Sequence, residues 1–206
     1  IHIEEWDECY HSRFGAIQEA QHVFIKKGLS LFENESVSIL EIGFGTGLNA
    51  FITFLEFQKF NQKINYVAVE GYPVTLEEAS LMNYVAELNA ENNRPIFEKL
   101  HECNWEEPHV LSEDFIFTKR KQFFADINDF EKFDLIYFDA FGFDVQPELW
   151  TATIFKKMYD ALKKQGVLVT YAARGVIKRN MIESGFRVEK HEGAPGKREM
   201  FRAIKE

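Results

Sequence analysis

The stretch Val37-Ser-Ile-Leu-Glu41-Ile-Gly43-Phe-Gly45-Thr-Gly47-Leu-Asn49 decides how the rest of the chain is read. Its first half is an apolar, β-branched run of the kind that forms a buried strand, and it ends on three glycines at alternate positions. Glycine adopts backbone conformations closed to other residues and lets a ligand approach the main chain. A strand, a tight turn and a helix are therefore expected in that order, with N–H groups facing a small ligand. The spacing is G-x-G-x-G followed by Leu48, so the dinucleotide fingerprint G-x-G-x-x-G is not matched. No Lys-Ser/Thr follows, as phosphate loops require.

Outward from this turn, apolar runs alternate with helical patterns, the rhythm of an α/β fold with a mostly parallel sheet and helices on both faces. Gly47 to Lys59 reads as a helix with Leu48, Phe51, Ile52 and Leu55 on one side, and Asn65 to Glu70 as the second strand. Pro73 opens a helix expected to run to about Glu91, followed by a short third strand near Lys99 to Cys103. Phe115-Ile-Phe-Thr and Phe123-Phe-Ala suggest a hairpin turning at Lys119-Arg120-Lys121. Phe133-Asp-Leu-Ile-Tyr-Phe-Asp139 is a buried strand, Pro147 to Lys163 a helix stopped by Gly166, and Gly166 to Ala172 the next strand. A helix over Val176 to Glu183 and a terminal hairpin, Phe186 to Lys190 and Arg198 to Ile204 around Gly193-Ala-Pro-Gly196, complete the chain.

The 206 residues, 46% of them hydrophobic, suffice for one sizeable core and are read as a single domain. Residues 1–35 form an entry segment before the α/β core of 36–206. The most apolar window, Ser38 to Leu55, contains Glu41, three glycines and Asn49, so a membrane span is not expected. The opening Ile-His-Ile-Glu-Glu carries no secretory pattern, which makes the cytoplasm the expected compartment. Cys9 and Cys103 form neither a CxxC pair nor a metal-ligand spacing with the histidines, so no disulfide or metal site is expected.

The net charge of −9 argues against a uniformly basic nucleic-acid coat. Its distribution is uneven: residues 1–162 are net −15 and residues 163–206 net +6. That basic fifth is either a solvated face or a local phosphate-binding patch.

Three acids stand where an open α/β sheet binds ligands, at the carboxyl ends of its strands. Glu70 closes the second strand, the position of an acid that accepts from both ribose hydroxyls of an adenosine ligand. Asp126 could accept from an adenine amino group, with Ile127 covering the ring, or it could be an exposed loop residue. Asp139 ends the very apolar strand before it and points to the ligand crevice, or it caps a neighbouring loop. Trp150 falls on the apolar face of its helix and reads as core.

Together these segments resemble the methyltransferase domain of the MnmC-type tRNA wobble-uridine modification enzymes, a branch of the Rossmann-like class I methyltransferases. The resemblance is carried by His11-Ser-Arg-Phe-Gly15, Glu19-Ala-Gln-His-Val-Phe-Ile25, Glu41 to Asn49, Val69-Glu70-Gly-Tyr-Pro73, Ala125-Asp126-Ile-Asn128 and Asp139-Ala-Phe141. It continues in order through Pro147-Glu-Leu-Trp-Thr151, Arg174-Gly-Val-Ile-Lys-Arg179 and Gly196-Lys-Arg-Glu-Met200. It implies a seven-stranded, mostly parallel sheet with one antiparallel strand, and S-adenosylmethionine as cofactor. Glu41, Gly43, Phe44, Gly45, Gly47, Glu70, Asp126 and Ile127 are then the candidate cofactor contacts. Asp139 becomes the catalytic candidate, and the acceptor implied is the exocyclic amine of 5-aminomethyl-(2-thio)uridine at the tRNA wobble position.

On that reading Phe141 walls the flipped base, and Lys178, Arg179, Lys197 and Arg198 meet anticodon-stem phosphates. The family's larger members add a flavin-dependent oxidase domain for which 206 residues leave no room. A stand-alone methyltransferase is therefore expected, with a separate enzyme supplying the amine; no oligomeric state is implied. The chain departs from the family at Ala125, where Gly is common, and over Gly142-Phe-Asp-Val-Gln-Pro147, the loop expected to shape the base pocket. Competing readings keep the cofactor but take a small-molecule or protein amine, or reduce the chain to a non-catalytic nucleotide-binding module. An NAD-linked reductase stands further off, with Leu48 at the wrong position and no hydride-transfer partner.

Overall fold

The computed structural model describes residues 2–3, 8–9 and 15–206. Strands β1 (His2–Ile3) and β2 (Glu8–Cys9) pair with each other, outside the main sheet. The chain then runs α1 (Ala16–Ala20), a π-helical turn (Gln21–Lys26), β3 (Ser36–Ile42), α2 (Leu48–Glu56), β4 (Lys63–Glu70), α3 (Leu76–Ser80), α4 (Tyr84–Glu87) and α5 (Arg94–Glu102). There follow β5 (Pro108–Ser112), β6 (Phe115–Lys121), β7 (Phe133–Phe138), α6 (Ala152–Ala161), β8 (Leu162–Thr170), α7 (Gly175–Glu183), β9 (Arg187–Glu192) and β10 (Glu199–Ile204).

The main sheet has the order β5-β6-β4-β3-β7-β8-β10-β9. Strands β6, β4, β3, β7 and β8 are parallel, and β10 runs antiparallel between β8 and β9. This is the expected mostly parallel α/β sheet with its inserted antiparallel strand. An eighth strand, β5, is added at the far edge, antiparallel to β6.

Strand periodicity sorts the side chains onto two faces. Val37, Ile39, Tyr66, Ala68, Leu135 and Tyr137 face one core with Phe51, Phe97 and Leu100 of α2 and α5. Leu40, Ile42, Val67, Val69, Ile136 and Phe138 face the other, with Phe155 and Met158 of α6 and Ile177 and Met181 of α7. Glu41, Glu70 and Asp139 fall in step with the first set, so all three acids stand on the α2 side. Strands β3 and β7 are paired neighbours with Ile42 opposite Phe138, which sets the glycine turn directly beside the residues that follow β7.

Four local expectations change. The strand near Lys99 to Cys103 is the last turn of α5, because Pro95 starts a helix whose Phe97 and Leu100 repeat at helical spacing and are buried. The helix from Pro73 is two short ones: Thr75 makes a capping box with Glu78 that begins α3, and Leu81, Met82 and Asn83 separate it from α4. Lys119-Arg120-Lys121 is not a turn but the end of β6, paired with Ala68–Glu70, and the hairpin reverses at Glu113-Asp114 instead. Lys119 shares the inward face with Phe115 and Phe117. Its ammonium is buried, donates to the His101 carbonyl and lies 4.7 Å from the Trp105 ring centroid. Finally, α6 ends at Ala161 and Gly166 lies within β8. Gln165 carries the positive φ of 65°, whereas a Cβ on Gly166 would come within 2.8 Å of the Lys163 carbonyl.

Candidate active site

A cavity of about 400 Å³ opens at the carboxyl ends of β3, β4 and β7. The glycine turn supplies Gly43, Phe44, Gly45 and Thr46, and α2 supplies Leu48 and Asn49. Glu70 to Tyr72 and Phe123 to Ala125 form one side; Asp139 to Gly142 and Tyr171 form the other. Ala16, Glu19, Ala20 and Phe24 of the entry segment cover it, with Lys197 from the loop between β9 and β10.

The glycines serve different purposes. Gly43, with φ 90°, lies so close to the next strand that a Cβ would stand 2.7 Å from the Asp139 carbonyl oxygen. Gly47, with φ 75°, caps α2 and backs onto His101, whose Nε2 would be 2.9 Å from an added Cβ. Gly47 therefore packs beneath the turn and is not on the cavity wall. His101 is partly buried and its pKa is lowered to about 4, first by desolvation and then by the Lys119 charge, so it supports the turn as a neutral ring.

The Glu70 carboxylate accepts from the Gly45 N–H at 2.9 Å through one oxygen and from the Tyr72 N–H at 2.8 Å through the other. Each oxygen retains a lone pair directed elsewhere, enough to accept from the two hydroxyls of a ribose. Phe123 and Phe124 add apolar faces beside it. This donor set suits an adenosine group.

Asp139 is half-buried at the opposite end. Asn49 Nδ2 donates to its Oδ2 at 2.8 Å. Burial pushes its carboxyl up to about 6; the Asn49 hydrogen bond opposes that rise, Glu19 adds to it and the Lys197 charge opposes it again. Lys197 forms an ion pair with Glu19, and its ammonium lies 4.1 Å from the Tyr171 ring centroid. Tyr171 in turn donates from its hydroxyl to the Ala140 carbonyl at 2.9 Å.

Several expected contacts are displaced. Glu41 is fully buried beneath the turn rather than on the cavity wall, and its two oxygens make no hydrogen bond among the described residues. Asn49 and Tyr66 are near enough to influence it. Burial drives its carboxyl well above the usual range. Ile127 is wholly buried in the α6 core and Asp126 is exposed, so the cavity is lined at that point by Phe123, Phe124 and Ala125. Phe141 lines the cavity, and its carbonyl accepts from the Nε1 of buried Trp150 at 2.8 Å. Of the basic residues, Lys197 faces the cavity, Arg198 borders an adjoining groove, and Lys178 and Arg179 of α7 line neither. Asn49, Glu19 and Tyr171 were missed as site residues; Asn49 and Glu19 stand inside the family motifs but carry no chemical signature on their own. His11 to Phe14 lie outside the described residues.

Fold and site together define a class I S-adenosylmethionine-dependent methyltransferase. A family model described as S-adenosyl-L-methionine-dependent methyltransferase matches residues 93–206, and the chain belongs to that family. It is 27% identical to the tRNA 5-methylaminomethyl-2-thiouridine biosynthesis bifunctional protein MnmC of Leptospira interrogans, over 96% of this chain and 32% of that protein. The protein of the same name from Actinobacillus pleuropneumoniae matches at the same identity and the same coverage. The chain thus spans about a third of the length of these curated relatives. Among solved structures, MnmC2 from Aquifex aeolicus superposes with a TM-score of 0.78 at 22% identity, covering 98% of this chain and 65% of that one. A SAM-dependent O-methyltransferase from Thermotoga maritima gives 0.51 at 16%, covering 86% and 62%.

Proposed function

We propose that this enzyme methylates the exocyclic amine of 5-aminomethyl-(2-thio)uridine at the wobble position of tRNA, in the cytoplasm. The single observation that carries the reading is the placement of the Asp139 carboxylate, fixed by Asn49, across one cavity from the ribose-compatible Glu70. The printed role of the relatives in tRNA 5-methylaminomethyl-2-thiouridine biosynthesis supports the acceptor. An enzyme acting earlier must install the aminomethyl group.

When bound, S-adenosylmethionine supplies an electrophilic methyl group on a sulfonium. Glu70 would hold its ribose, Phe123, Phe124 and Ala125 its adenine, and the backbone of Gly43 to Thr46 the remainder. Asp139 then orients the acceptor amine so that its lone pair faces the methyl carbon. Once methylated, the acceptor nitrogen would shed one proton to the Asp139 carboxylate, directly or through water. A carboxyl near pH 6 suits this task, being ionised at neutral pH yet more basic than a free aspartate. Phe141 and Tyr171 flank the path by which a splayed anticodon-loop base would enter.

The test is transfer of labelled methyl to bulk tRNA from a strain lacking this methylation, with nucleoside mass spectrometry of the product. A new 5-methylaminomethyl nucleoside is expected. Cofactor binding without transfer to RNA would reject the acceptor while leaving the methyltransferase assignment in place.

A further inference from the structure

A second, more open groove of about 960 Å³ adjoins the methyl-transfer cavity and shares Gly142, Tyr171 and Lys197 with it. One wall is the loop after Asp139, and the other is the start of α7 with the β9–β10 loop. Across it, the Arg174 guanidinium lies 5.5 Å from the Phe143 ring centroid and grips the Asp144 carboxylate with two N–H groups, Nη1 reaching Oδ1 at 2.7 Å. Arg198 borders the same groove, is exposed, and has no ion pair among the described residues.

The Arg174 and Asp144 side chains are 51% and 71% exposed, so their pairing is solvated and contributes little to the fold. A guanidinium already stacked and aligned by such a weak partner is poised to exchange it for another anion whose two oxygens accept its paired N–H groups, as those of a phosphate do. Cations beside an aromatic face, in a protein of net charge −9, match what a single-stranded nucleotide needs: charge for its phosphate and a ring for its base.

We infer that this groove seats the nucleotide adjoining the acceptor uridine in the RNA chain, with Arg174 and Arg198 on its phosphate and Phe143 against its base. Asp144 holds Arg174 in place before RNA arrives and competes with the phosphate afterwards. The inference rests on the RNA acceptor proposed above and adds the neighbouring subsite to it.

The experiment uses the full chain and an anticodon stem-loop carrying 5-aminomethyluridine, with kcat and KM measured beside the salt dependence of binding to the unmodified stem-loop. Arg174→Ala should raise KM about tenfold and lower the salt slope by about one, because one phosphate contact is lost. Asp144→Asn should act in the opposite direction, lowering KM several-fold by freeing the arginine. Phe143→Ala should raise KM. Should Arg174→Ala and Asp144→Asn shift KM the same way, or not at all, the pair merely braces the loop and the inference is overturned. If the wild-type enzyme gives no turnover, the acceptor reading fails; opposed effects of the two variants on stem-loop binding would still uphold the groove, and their absence would overturn it too.

Discussion

Asn49, in the first turn of α2, donates from Nδ2 to Asp139 Oδ2 at 2.8 Å, tying the glycine turn to the acid that follows β7. The bond stabilises the ionised form of a carboxyl that burial otherwise pushes toward protonation. Asn49→Ala should therefore shift the acidic limb of the pH–rate profile to higher pH and lower kcat at neutral pH, by less than the roughly 10²- to 10⁴-fold worth of the acid–base group it positions. An unmoved limb would separate Asn49 from Asp139.

Asp139→Asn should abolish most turnover, a loss on the order of 10²- to 10⁴-fold, while cofactor affinity measured by calorimetry stays close to wild type. It should also stabilise the fold. The folded carboxyl titrates near 6 instead of near 3.8, so above pH 6 the ionised group is less favourable in the fold than in the unfolded chain, by at most about 3 kcal/mol. Below pH 3.8 both forms are protonated and no difference remains. Thermal melts should show the gain above pH 6, shrinking as pH falls through the window between these values.

Lys197 and Glu19 act on the same acid with opposite sign. Lys197→Met removes a cation and should move the acidic limb up, whereas Glu19→Gln removes an anion and should move it down. Equal shifts in one direction would mean that the two side chains merely close the entry segment over the cavity.

Glu70→Gln should weaken S-adenosylmethionine binding by about 10- to 100-fold, the range expected for lost hydrogen bonds to a charged group. At saturating cofactor kcat should recover. Titration calorimetry against turnover at high cofactor distinguishes this from a general collapse of the turn.

Gly47→Ala forces a side chain into a left-handed conformation and against His101 Nε2. A loss of about 1–3 kcal/mol in stability is expected, visible as a lower Tm, with weakened cofactor binding as the turn shifts. A wild-type Tm would show that His101 moves aside at no cost.

How much was legible before the structure depended on whether a residue's signal was local. The run Val37 to Lys59 carries strand, turn and helix because composition and glycine placement act over a few residues. The buried β7 run ending at Asp139 was legible for the same reason. Lys119 was not: three consecutive basic residues read as a turn, and only pairing with β4 puts the first of them inside. The last turn of the Arg94–Glu102 helix reads as a strand over Lys99 to Cys103 because the apolar pair Phe97 and Leu100 is too sparse to fix a period on its own.

By itself the sequence determined the α/β class, the glycine turn, the acids Glu70 and Asp139 at strand ends, and the gathering of positive charge in the last fifth of the chain. Those are properties of short segments and of simple sums. Only the tertiary structure decided that Glu41 and Ile127 lie under the site and not in it, that Asn49 holds Asp139, and that Lys197 turns inward to Glu19 while Arg174 and Arg198 border the groove. Each of those facts joins residues far apart in the chain. They are set by sheet register and by which face of each strand is covered, and no local propensity encodes them.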